Sequence, residues 1–268
     1  MIQRLDVFLT ENKHFNSRKQ AQNAIEHGCV AINGKVQTGK SIKVKETDKV
    51  TIDLSLIQGD LKYVSRGGLK LEKAASEFNI SFKEKIVLDV GASTGGFTDC
   101  ALLSGAKKVY ALDVGSGQLA QKLRADNRVE VIENANFRTF GARDFNEKID
   151  IIVCDVSFIS LSILASNFKS ILGDVGELVV LIKPQFECGK QIADKFRGVI
   201  NSKEVHLDVL SSIITKFMAT GFKLLGLTYS PIKGGSGNIE YLAYFVPSLA
   251  KDSNIDISAC INSAFNNF

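Results

Sequence analysis

The 268-residue chain has no tryptophan, three prolines, two methionines, three histidines and five cysteines. So little proline, with 22 glycines in no fixed period, excludes collagen-like and proline-rich disordered classes. Cys29, Cys100, Cys154, Cys188 and Cys260 are odd in number, widely spaced and form no CxxC pair. A disulfide framework and a structural zinc site are therefore not expected. These thiols read as small hydrophobes in a reducing cytoplasm. His14, His27 and His206 stand at no ligand or triad spacing, so no metal centre and no histidine-based hydrolysis is expected. The longest apolar runs, such as Leu178–Ile182, are strand-sized. A membrane-spanning helix needs about 20 apolar residues, so none is expected. The opening MIQRLDVFLTEN carries Asp6 and Glu11 early and does not read as a signal peptide.

Hydrophobic residues make up 45% and charged residues 23%, as in globular proteins. The net charge of +4 permits a polyanionic partner without requiring one. The length suggests two unequal domains, with boundaries expected at 1–60 and 61–268. The first opens with an amphipathic stretch around Leu5, Phe8 and Leu9. Ser17 and Gln20 then form a capping box for a second helix that ends at Gly28. Asn33-Gly34 marks a hairpin, and Ile42, Val44, Val50 and Ile52 alternate as half-buried strands do. The expectation is two short helices on one small curled sheet, an α+β unit with a core thin enough to suit binding rather than catalysis.

The second unit alternates apolar strands with helical patterns. Strands are expected at Ile86–Val90, Val109–Asp113, Val129–Glu133, Ile149–Asp155, Leu178–Lys183, Lys223–Tyr229 and Glu240–Val246. Helices are expected at Phe97–Ser104, Ser116–Ala125, Ser160–Leu172 and Lys203–Thr220. This is an α/β, Rossmann-like pattern: a seven-stranded parallel sheet with an antiparallel end, the methyltransferase variant of the doubly wound fold.

After the first of these strands comes Asp89-Val90-Gly91-Ala92-Ser93-Thr94-Gly95-Gly96-Phe97. The glycines admit close approach of a ligand and open a helix, but the spacing is neither GxGxxG nor a P-loop. Asp89 would repel a pyrophosphate and suits a cationic ligand portion, such as the methionine amine of S-adenosylmethionine. Asp113, ending the next strand, can accept both hydroxyl protons of a ribose. The bland alternative is that Asp89 and Asp113 cap the turns that follow them.

Four residues stand where open parallel sheets bind ligands. Lys70 lies on the first helix of the large unit, Asp155 and Lys183 end adjacent strands, and Glu240 begins the last strand. A lysine ending an apolar run is a candidate base, because desolvation and a neighbouring cation both favour the neutral amine. An ordinary ion pair at a sheet edge is the structural alternative.

These patterns carry resemblances. Arg4-Leu5-Asp6, Ser17-Arg18, Gly28-Cys29-Val30 and Ile32-Asn33-Gly34 look like the small RNA-binding domain of the ribosomal protein S-four type. Lys70, Asp155, Lys183 and Glu240 match the Lys-Asp-Lys-Glu tetrad of FtsJ-like ribose 2′-O-methyltransferases. The stretches Ser65–Gly67, Gly91–Thr98, Asp113–Leu119, Asp155–Ser160, Lys183–Glu187 and Gly237–Tyr241 look like the TlyA (hemolysin A) family. The resemblance spans residues 1 to about 247, and the amphipathic tail Ile255–Phe265 is similar to that of longer members. It departs at Lys62–Ser65, which lacks the tryptophan of some relatives, and at Gly68, where several have alanine.

The resemblance implies 2′-O-methylation of cytidine in ribosomal RNA, in both subunits for longer members. It implies Lys70, Asp155, Lys183 and Glu240 as catalytic residues, with Lys183 the base or the group that polarises the hydroxyl. The donor would be held by Asp89, Gly91, Ala92, Ser93, Thr94, Gly95, Gly96, Phe97, Asp113, Val114, Asn136 and Asp155. Arg4, Arg18, Lys19 and Arg66 would contact RNA. Ribosomal RNA or ribosomal subunits are the expected partners, with neither DNA nor membrane, and the expected location is the cytoplasm. Two other readings exist. One is a membrane-active cytolysin, as the family's older name suggests; the other is a non-catalytic RNA-binding assembly factor, which has no need of the tetrad.

Overall fold

The computed structural model describes residues 2–15, 17–26, 28–39, 41–53, 62–247 and 255–268, without the side chain of Lys19. The chain divides into two compact units, Met1–Arg66 and Gly67–Phe268.

The first unit runs β1 (Ile2–Arg4), α1 (Leu5–Glu11), α2 (Arg18–Glu26), β2 (Val30–Ile32), β3 (Lys35–Gln37), β4 (Lys43–Lys45) and β5 (Val50–Ile52). Ser17 starts α2 as expected, its Oγ accepting from the Gln20 N–H at 3.3 Å. Asn33 and Gly34 both have positive φ, 50° and 81°, the conformation a two-residue type I′ hairpin requires. Leu5, Leu9, Ala21, Ala24, Ile25, Cys29, Val30 and Val44 form the core. The sheet differs from expectation. There are two sheets, the antiparallel pair β1–β4 and the three-stranded β3-β2-β5. Ile2–Arg4 forms a strand because it pairs with Lys43–Lys45, with Gln3 opposite Val44. Three residues carry too little alternation to announce this.

The second unit opens with α3 (Gly67–Phe78), β6 (Ile86–Val90), α4 (Gly96–Leu103), β7 (Lys108–Leu112), α5 (Gln121–Arg124) and β8 (Val129–Ile132). It continues with β9 (Ile151–Cys154), α6 (Ala165–Leu172), β10 (Glu177–Ile182), α7 (Pro184–Glu187), α8 (Lys190–Lys195) and α9 (Lys203–Ala219). It closes with β11 (Phe222–Tyr229), β12 (Tyr241–Pro247) and α10 (Ile257–Asn267). All seven strands form one sheet, ordered β11-β12-β10-β9-β6-β7-β8. Only β12 runs antiparallel to its neighbours, β10 and β11. Every residue of β6 and β9 is buried, which is why these central strands read as unbroken apolar runs. Strand order reverses between β6 and β9, the place where such sheets open a crevice for ligands.

Two expected helices are shorter than their pattern. Ser116–Ala125 is helical only over Gln121–Arg124. The N–H groups of Gly115 and Gly117 are taken instead by the carboxylates of Asp113 (2.7 Å) and Glu133 (2.9 Å). Ser160–Leu172 is split into a 3-10 turn, Leu161–Ile163, and α6. The Leu161 N–H goes to the Glu187 carboxylate at 2.8 Å, and Ser160 caps the turn.

Candidate active site

The carboxyl ends of β6, β7 and β9 bound a cleft of about 620 Å³, the size of a small-molecule site. Gly91, Ser93, Asp113, Val114, Asn136 and Asp155, all expected at the donor, line it. Gly91 has φ 84°, and a Cβ there would stand 2.9 Å from the Asp155 carbonyl oxygen. The strand-to-loop crossing over β9 therefore requires glycine. Asp113 is partly exposed and caps both sides of the cleft: Oδ2 accepts from Ser93 N and Oδ1 from Gly115 N, each at 2.7 Å. The turn-capping alternative is thus real, and it leaves each carboxylate oxygen a second lone pair on a residue that lines the cleft. Asn136 starts the next turn, its Oδ1 accepting from Arg138 N at 3.1 Å.

The remaining loop residues expected at the donor do not line the cleft. Ala92, Gly95, Gly96 and Phe97 are buried and Thr94 is exposed. Gly95 has φ 96°, which favours glycine, and Leu119 and Leu123 pack against it, so backbone conformation and packing explain that glycine without a ligand. Asp89 is fully buried on β6 beside the loop. The Thr98 hydroxyl donates to its Oδ2 at 2.6 Å, and its Oδ1 has no hydrogen-bond partner among the described residues. Burial pushes this carboxyl up to about 7, against the Thr98 hydrogen bond, with the nearby carboxylates of Asp155 and Asp113 adding to the rise. An orphaned buried carboxylate oxygen, a glycine crossing and a capped acidic strand end fit a donor with a cationic amine and a ribose.

The four residues singled out in sequence meet in one chain of ion pairs. Lys183 Nζ lies 2.6 Å from Asp155 Oδ1. Lys70 Nζ lies 3.8 Å from Asp155 Oδ2 and 2.7 Å from Glu240 Oε2. Lys70 and Lys183 are each 8% exposed and Glu240 3%, while Asp155 stays partly exposed at the cleft, so two anions offset two cations at the cleft wall. The register explains the meeting: Cys154 pairs with Val180, and Ile182 pairs with antiparallel Tyr241, which brings all three strand ends together. Glu240 stands one residue before β12. Buried Asn238 fixes its loop by accepting from Ile200 N (2.9 Å) and donating to the Gly198 carbonyl (2.8 Å). Lys183 also donates to the Ser157 hydroxyl at 2.8 Å, and Gln185 reaches Glu240 at 3.4 Å.

Ser157, Gln118 and Phe158, to which sequence reasoning gave no role of their own, also line the cleft, as does Arg138 beside Asn136. Phe158 is 89% exposed, has φ 65°, and tilts against Phe186 with ring centroids 4.7 Å apart. An exposed aromatic in a left-handed backbone conformation at a cleft mouth is a stacking surface. Its sequence signal was its place in the family-like stretch Asp155–Ser160.

In the first unit Arg4 and Arg18 converge on Asp6, at 2.9 and 3.2 Å. Arg66 is exposed at that unit's end. The side chain of Lys19 lies outside the described residues. Among the described residues no cluster could hold a metal ion, and no helix is long and apolar enough to cross a membrane.

Residues 63–246 match the FtsJ-like methyltransferase family and residues 3–50 the S4 domain. Hemolysin A of Brachyspira hyodysenteriae is 48% identical, covering 91% of this chain and 99% of its own. The 16S/23S rRNA (cytidine-2′-O)-methyltransferase TlyA of Mycobacterium tuberculosis is 35% identical, covering 90% and 88%. The 23S rRNA (cytidine-2′-O)-methyltransferase TlyA of Campylobacter jejuni is 37% identical, covering 91% and 99%. With the cleft, the acidic strand ends and the ion-paired tetrad already in view, the match over residues 63–246 means that this chain belongs to the FtsJ-like methyltransferase family, uses S-adenosylmethionine, and carries an S4 domain ahead of its catalytic fold.

Proposed function

We propose that the chain methylates the ribose 2′-hydroxyl of cytidine in ribosomal RNA, of both subunits, in the cytoplasm. The observation that carries this reading is the chain of ion pairs Glu240–Lys70–Asp155–Lys183, three of its members buried and Asp155 at the cleft. The relatives' names supply the substrate, and they differ on whether one or both RNAs are modified.

S-adenosylmethionine supplies an electrophilic methyl group whose positive charge is lost on transfer. The chain's own residues do the rest. Asp89 and Asp113 would hold the donor's amine and ribose. Lys183 would orient the 2′-hydroxyl and take its proton, which requires its neutral form. Asp155 fixes Lys183 from 2.6 Å, and the Lys70–Glu240 pair keeps Asp155 from moving. Alignment of two bound reactants accounts for up to roughly 7–11 kcal/mol of barrier reduction in favourable cases. Phe158 offers a face on which a splayed base would stack. DNA has no 2′-hydroxyl and would not react.

The test is transfer of tritiated methyl to unmodified small and large subunits in separate reactions, with single-stranded DNA alongside. Label in alkali-resistant dinucleotides from both subunits is expected. Label in one subunit alone would restrict the reading to that RNA, and label in DNA would overturn it.

A further inference from the structure

The first unit holds a charge cluster that methyl transfer does not use. Asp6, in the first turn of α1, is 2% exposed. Its Oδ1 accepts from Arg4 Nε (2.9 Å) and Val7 N (3.0 Å). Its Oδ2 accepts from Arg4 Nη2 (3.0 Å), Arg18 Nη2 (3.2 Å) and Gln22 Nε2 (2.5 Å). The Arg4 hydrogen bond, with help from Gln22 and Arg18, holds the carboxyl well below the usual carboxylate range despite its burial. Asp6 is therefore a fixed anion bonded to two side chains of α2, to a backbone N–H of α1 and to Arg4 at the end of β1.

Its two arginine partners remain open to solvent, with side-chain exposures of 43% and 56%. A surface built only to attract a polyanion would be stronger without Asp6, which lowers the local charge from +2 to +1. What Asp6 adds is order. Free arginine side chains lose rotamer freedom on binding, and a planar guanidinium already held loses less.

We propose that Asp6 is a positioning residue which presents Arg4 and Arg18 as one paired guanidinium face for the phosphates of an RNA strand. This rests on the RNA reading above and adds to it the residue that shapes the contact.

Charge and order make opposite forecasts for Asp6→Asn, which removes a negative charge and keeps the size. Binding of the full chain to an in vitro transcript of 23S rRNA is measured across a potassium chloride series. The control is Glu11→Gln, the same charge change at the exposed end of α1. Asp6→Asn should weaken binding about fivefold, while Glu11→Gln stays within about twofold of the parent. In an Arg4→Ala/Arg18→Ala background, Asp6→Asn should change affinity by less than about twofold. In methyl transfer to subunits, KM should rise with kcat unchanged at saturation. Asp6→Asn binding as tightly as the parent, or more tightly, would overturn the proposal. So would an equal loss in the double-alanine background, which marks general unfolding of the unit, or a fall in kcat. Failure of the unsubstituted chain to bind both the transcript and the isolated subunits would overturn the RNA reading itself.

Discussion

Asp6 and Asp89 are carboxylates with almost no exposed surface, one in each unit, and their surroundings push them in opposite directions. Asp6 receives five hydrogen bonds, three of them from guanidinium groups, and stays ionised. Asp89 receives one from Thr98, keeps an oxygen without a partner among the described residues, and rises to about 7. Asp6 is covered by arginine side chains that are themselves open to solvent, whereas Asp89 lies deep in the sheet, so depth of burial and supply of donors together decide the charge. A satisfied buried anion organises its neighbours, whereas an unsatisfied one is poised for a cationic ligand.

The widest separation of the two should come from pH. Asp89 has a folded pKa above its unfolded value of about 3.9, so the folded state holds the proton more tightly. Its contribution is fully present below pH 4 and is lost as pH rises through about 7. Asp89→Asn should therefore gain on the parent between pH 4 and 7 by up to about 4 kcal/mol in donor-free urea unfolding. Asp6 has the opposite sign: its stabilisation is present above about pH 4 and is lost as pH falls towards its depressed value. A pH-independent gain for Asp89→Asn would mean that Asp89 is ionised throughout.

Next in size is Lys183→Arg, which keeps the charge opposite Asp155 but removes a usable neutral form. Single-turnover methyl transfer should fall at least about a hundredfold, or roughly 2.7 kcal/mol, with donor affinity unchanged. Near-parent rates would leave Lys183 an electrostatic role only. Asp113→Asn should weaken donor binding by about tenfold, roughly 1.5 kcal/mol, because one charged acceptor becomes a donor. Calorimetry giving equal affinity in a folded variant would remove Asp113 from the site. The smallest effect is Ser17→Ala, which removes the cap of α2 and should cost about 1 kcal/mol in the first unit. Donor affinity should not move; a change would mean that the cap of α2 is felt at the donor cleft.

Much of this was legible in the chain itself. Strands buried on both faces announce themselves as apolar runs, and their polar ends, Asp113, Asp155 and Lys183, mark the ligand edge of the sheet. The S4-like unit was legible through Ser17, Asn33-Gly34 and the resemblance. What stayed hidden depended on contacts distant in sequence. β1 exists because of Lys43–Lys45. Residues 116–120 are not helical because Asp113 and Glu133 take the local N–H groups. The ordering role of Asp6 needs Arg18 and Gln22, twelve and sixteen residues away. The exposure of Phe158 needs a positive φ that no pattern encodes.

The central claim is that the ion-paired Lys-Asp-Lys-Glu cluster at the cleft moves a methyl group onto a ribose oxygen. The most direct measurement digests RNA labelled by the unsubstituted chain to nucleosides and identifies the labelled species by chromatography and mass. The account predicts label in 2′-O-methylcytidine, absent when Lys183→Arg replaces the parent at full donor occupancy. Label in a base-methylated nucleoside, or undiminished 2′-O-methylcytidine from the arginine variant, would contradict it.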